Sequence, residues 1–173
     1  MPSLVDNLVQ ALDDECTMYE KLLGLSSRKT AIIVSGDLKA LAEITDEEQC
    51  AVGDIQRLDK QRRRAMEEIA TVLNKDVDSL KLTDLIEILV RKPSDQKNLA
   101  LQRDRLVGVV ENVRRVNSQN QELLISSLEM VQFEMNIIQS SKRAPQTANY
   151  SKDADTTGDV IGYYTSGGFD AKQ

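Results

Sequence analysis

Histidine is absent from this sequence, and tryptophan with it. Without histidine there is no imidazole general base, no imidazole metal ligand, and no Ser-His or Cys-His nucleophile arrangement. Aromatics make up only 3% of the chain, prolines number three, and cysteines two. Large sheets draw on Tyr, Phe, Trp and Thr, so this shortage turns the reading toward helices packed on helices. Cys16 and Cys50 form no CxxC, and too few cysteines are present for a disulfide framework. No two glycines before residue 158 stand within ten residues of each other, so no glycine-rich phosphate loop exists there. Neither a basic n-region with an apolar h-region nor a run of roughly 20 apolar residues appears. The sequence therefore reads as a soluble, cytoplasmic, non-enzymatic protein with no cofactor, metal or membrane insertion.

What is present is Leu, Ile, Val, Ala and Met at helical spacing. Apolar residues make up 40% of the chain and charged ones 29%. Leu4, Leu8, Leu12, Tyr19, Leu22, Leu23 and Ile33 predict a first helix over 4–34. Gly36 then suits a left-handed C-cap and Asp37 an N-cap, which makes the next helix an antiparallel neighbour. Leu41, Ile44, Ala51, Ile55, Leu58, Ala65, Ile69 and Val72 predict a second helix over 38–73, interrupted by Glu48 and Arg62 where apolar residues belong. Residues 74–92 form a connector with a short helix capped by Thr83 and stopped by Pro93. Ser94 or Asp95 caps a third long helix over 95–140, with Leu99, Leu106, Val109, Val113, Val116, Asn120, Leu123, Leu124, Leu128, Val131, Met135 and Ile138 on its apolar stripe. The expected fold is all-α: an elongated antiparallel bundle or coiled coil over 1–140, followed by a flexible tail over 141–173. Asn120 is either a buried register-setting residue or an edge residue with its amide in water.

Charge is uneven. Residues 1–54 hold 4 basic against 11 acidic side chains, and residues 55–115 hold 14 against 10. An acidic first helix facing a more basic middle follows from this. The run Arg57, Lys60, Arg62, Arg63, Arg64 is interleaved with acids and lacks nearby aromatics. It reads as a solvated face or a partner for the first helix, and the net charge of −6 argues against nucleic acid as a partner. Two stretches imitate calcium loops. Asp153, Asp155, Thr157 and Gly158 are followed by Tyr164 at the twelfth position, and Asp76, Asp78 and Glu87 have Lys81 where the turn needs glycine. Neither fits a calcium loop.

The tail carries the sharpest signal. Four of the six aromatics, Tyr150, Tyr163, Tyr164 and Phe169, lie in the last 24 residues, beyond the end of helical periodicity. Aromatics dominate interface energetics. The segment either orders on a partner or folds back on its own bundle.

Three stretches carry a resemblance. They are RKTAIIVSGDLKALAEITDEEQCAVGDIQRLDKQRR at the first hairpin, VRRVNSQNQELLISSLEMVQFEMNII in the third long helix, and the end from Tyr150 through GGFDAKQ. In this order and spacing they resemble the FlgN-type flagellar export chaperones. The resemblance implies a chaperone that binds hook-associated proteins, covers the C-terminal helical segments they later polymerise with, and delivers them to the export gate. It places partner binding at the end of the third helix and in the tail: Leu128, Val131, Met135, Ile138, Tyr150, Val160, Ile161, Tyr163, Tyr164 and Phe169. A tail tyrosine is the natural gate contact, and the resemblance does not choose among the three. Glycines at 158, 162, 167 and 168 break any continuous bound helix there. The alternative functions are a scaffolding coiled coil acting as a homo-oligomer, and a helical regulator that sequesters a different partner.

Overall fold

The computed structural model describes residues 3–143. Four helices follow in order: α1 (Leu4–Ser35), α2 (Leu38–Leu73), α3 (Leu82–Ile88) and α4 (Pro93–Lys142). A 3₁₀ turn, Leu89–Arg91, joins α3 to α4. The expected all-α architecture of three long helices and a short connector is what forms.

Local chemistry sets the ends. The Ser3 hydroxyl accepts from the Asp6 amide at 3.1 Å, and the Asp6 carboxylate accepts from the Ser3 amide at 2.8 Å. Those two hydrogen bonds form a capping box and hold the Asp6 pKa below its ordinary value. Gly36 ends α1 with φ +72°, a conformation that glycine enters without steric cost. Asp37 starts α2 by accepting from the Ala40 amide at 3.0 Å. Two short-range expectations are corrected. Thr83 lies inside α3, whose cap position is Lys81 with its amide held by the Asp84 carboxylate. Ser94 and Asp95 lie inside α4, because Pro93 opens that helix; its missing N–H and fixed φ cost nothing in a first turn.

Cross-helix hydrogen bonds define the path. Glu15 meets Arg62 and Ser26 meets Glu48, so α1 and α2 run antiparallel. Asp13 meets Arg105 and Asn120 meets Ser26, so α4 runs parallel to α1. The bundle is therefore up, down, up. α1 is the middle helix, packed along both others, while the backbones of α2 and α4 do not approach each other.

The core is layered. One apolar cluster joins Leu8, Leu12, Met66, Ile69, Leu85 and Leu99 near the connector. A second joins Leu22, Leu25, Ile44, Ala51, Ile55 and Val113 farther along. Burying each large side chain contributes about 1.5–3 kcal/mol. Glu48 and Arg62, the two interruptions of the α2 stripe, form polar layers. Arg62 Nε donates to the buried Glu15 at 2.8 Å, while its Nη2 reaches Asp59. Burial pushes the Glu15 pKa up against the opposing pull of Arg62. Glu48 accepts from the Ser26 hydroxyl at 2.7 Å and from Lys29 Nζ at 2.8 Å.

The expected facing of acid and base also forms. Arg105 grips Glu20 with two nitrogens, each at 3.0 Å, and Asp13 with a third contact at 2.6 Å. The expectation that Val72 faces the core is wrong. A straight 3.6-residue period turns the end of the α2 stripe onto Ile69, Ala70 and Leu73, leaving Val72 exposed. Cys16 is fully buried, with its Sγ 3.8 Å from the Gln102 carbonyl on α4, whereas Cys50 is exposed. Burial pushes the Cys16 thiol pKa up. Since Glu15 sits level with Arg62 and Ser26 with Glu48, the two cysteines lie at different levels of the hairpin.

Candidate partner-binding site

The helices differ in length, and that difference makes the site. α1 has 32 residues and α4 has 50. Their register is pinned near the far end. Asn120 Nδ2 donates to the Ser26 carbonyl at 2.8 Å, and its Oδ1 accepts from the Thr30 hydroxyl at 2.6 Å. Asn120 is thus a buried register residue, satisfied within the chain rather than by a second copy. Only five residues of α1 follow Thr30 before Gly36 turns the chain. α1 therefore ends level with about residue 125 of α4. At 1.5 Å per residue, α4 continues alone for about 25 Å.

This overhang is apolar. In the body the α4 stripe is covered, with Leu99 0% exposed and Val113 6%. Past Leu124 the same stripe continues through Leu128, Val131, Met135 and Ile138, now between 51% and 68% exposed. These four predicted site residues lie together on one helix face, and Leu128, Val131 and Met135 share a shallow depression with Gln132, Asn136 and Gln139. Nothing in the described chain covers it. The other six predicted residues, Tyr150, Val160, Ile161, Tyr163, Tyr164 and Phe169, lie outside the described residues.

Sequence reasoning missed a second set. Ile125, Met130, Phe133 and Ile137 are also exposed, Phe133 at 65%. With 100° between successive residues, Met130, Phe133 and Ile137 form a stripe roughly 150° from the first. The signal was available in the 3- and 4-residue steps from 130 to 137, but reading α4 for one stripe hid the other. Amphipathic helices normally keep one face polar.

The site offers no reactive chemistry. Glu129 and Glu134 are the only ionisable groups between Leu123 and Ile138. Among the described residues, no group of three or more potential ligands is arranged for a metal ion. No helix among them is long and apolar enough to cross a membrane. An unpaired apolar rod with such a surface is suited to helix-in-groove contact with a protein.

The family model described as FlgN protein matches residues 1–158, spanning the bundle, the overhang and part of the tail. The chain belongs to the FlgN family. FlgN proteins are non-enzymatic flagellar export chaperones for hook-associated proteins. No curated protein and no solved structure matches the chain.

Proposed function

We propose that the α4 overhang is where this FlgN protein holds its client, with Leu128, Val131, Met135 and Ile138 as the contact stripe. A single observation carries the reading: the seam that α1 covers up to Gly36 continues uncovered in the same line. A client helix laid there takes the place that α1 vacates. Its docking buries both apolar stripes without rearranging the bundle. The client segment is the C-terminal helical region of a hook-associated protein, bound in the cytoplasm before export. The tail residues Tyr150, Val160, Ile161, Tyr163, Tyr164 and Phe169 add contact area and offer a tyrosine to the export gate. Ordering such a segment costs free energy, which limits affinity and favours release.

Titration calorimetry with a hook-associated protein's C-terminal fragment tests the assignment. Val131→Asp combined with Met135→Asp should weaken binding about a thousandfold while leaving the melting temperature unchanged. Undiminished binding by that variant would move the site onto the body. A sizing column run on the same samples distinguishes client binding from self-association through the same stripe.

A further inference from the structure

The back stripe of the overhang, Met130, Phe133 and Ile137, is not explained by a client seated on the front. Along the body this face is polar and exposed, with Asn112, Arg115, Gln119 and Glu122. Only Leu101 interrupts that polar face in the body, and a continuous apolar stripe forms only where α1 has ended. We propose that in the free chain this back stripe is the docking site of the protein's own C-terminal segment, residues 160–169.

Length, area and charge favour this occupant. Thirty residues follow Arg143, and they leave from the end of the overhang itself. Residues 144–159 can span up to about 50 Å. The return from Lys142 to Met130 needs only about 18 Å. Five extended residues, Val160–Tyr164, cover about 16 Å, enough for a stripe about 10 Å long. Three side chains, each half to two-thirds exposed, offer at most roughly 400 Å², well short of the ~800 Å² per partner of a standard stable complex. A tethered segment needs less, because its effective concentration is of millimolar order. Asp153, Asp155 and Asp159 precede the apolar segment and pass the basic end of α4, Lys142 and Arg143. The front stripe stays open to the client.

The test uses the free full-length chain, so its failure is separate from any failure of client binding. Methyl spectra are compared between the parent and a variant carrying Val160→Ser, Ile161→Ser, Tyr163→Ser and Tyr164→Ser. The Met130 and Ile137 methyl signals should move, while those of Met135 and Ile138, on the front, should not. Chymotrypsin cleavage after Tyr163 and Tyr164 should accelerate about tenfold when Met130, Phe133 and Ile137 are replaced by Ser, corresponding to about 1.4 kcal/mol of docking. Unmoved signals throughout would overturn the proposal. So would movement at Met135 and Ile138 instead, which places the segment on the front. Shifts at Met130 that depend on protein concentration would overturn it too, in favour of a second copy.

Discussion

α4 is one helix in two environments. From Pro93 to about residue 125 its apolar stripe is sealed by α1, and from there to Lys142 a stripe of the same spacing stands in solvent. Residue type hardly distinguishes the halves: Leu and Val serve in both. What differs is whether a neighbouring helix is present. The same pattern is therefore core in one half and uncovered apolar surface in the other, and substitutions should sort by half rather than by chemistry.

The largest expected effect breaks the overhang alone. Each well-buried anchor at a hot spot is worth about 2 kcal/mol or more, so Val131→Asp with Met135→Asp should weaken client binding about a thousandfold. The melting temperature, followed by circular dichroism, should not move, because neither side chain belongs to the bundle core. In the body the readouts exchange. Leu99→Ala removes a fully buried side chain and should cost about 3 kcal/mol in urea unfolding, with client affinity retained below the transition.

Asn120 lies where the two halves meet. Asn120→Ala removes two hydrogen bonds, from the Thr30 hydroxyl to Oδ1 and from Nδ2 to the Ser26 carbonyl, and should cost about 1–3 kcal/mol by the same unfolding measurement. Its oligomeric state on a sizing column should not change, since both of its partners are in the same chain. The smallest effect is a pH dependence at Glu15. Its folded pKa is raised, so the folded state binds that proton more tightly than the unfolded one. The stability that Glu15 contributes relative to a neutral residue therefore falls as pH rises from 4.5 through the folded pKa. Parent minus Glu15→Gln stability should be more favourable at pH 5 than at pH 7, as read by paired thermal melts.

The helices were legible because their stripes are long and regular, and α2 begins and ends where its pattern predicts. Gly36 and Asp37 have one plausible use each, so the first turn was legible too. The connector was not. Thr83 offers a hydroxyl, but Asp84 offers a carboxylate one residue later, and the choice depends on where α3 packs. Glu48, Arg62 and Asn120 were visible as breaks in the pattern, yet a break does not say which residue answers it. Their partners Ser26, Glu15 and Thr30 come from another helix, and only the register pairs them. Half of the site was likewise readable. Leu128, Val131, Met135 and Ile138 continue a stripe, but that nothing covers them follows from the relative lengths of α1 and α4.

Those polar pairings have a consequence for length itself. Sliding α4 by one turn along α1 would strand Asn120, Thr30 and the Arg105 grip together, so the two helices are indexed like the marks of a gauge. The free end is then as long as α4 exceeds α1, and the Gly36 turn decides where counting stops. Inserting one heptad into α1 and a matching one into α2, on either side of that turn, would shorten the bare rod by about 10 Å without touching a single contact residue. For the proposed client site, the length of rod on offer is thus set partly by a hairpin that lies outside it.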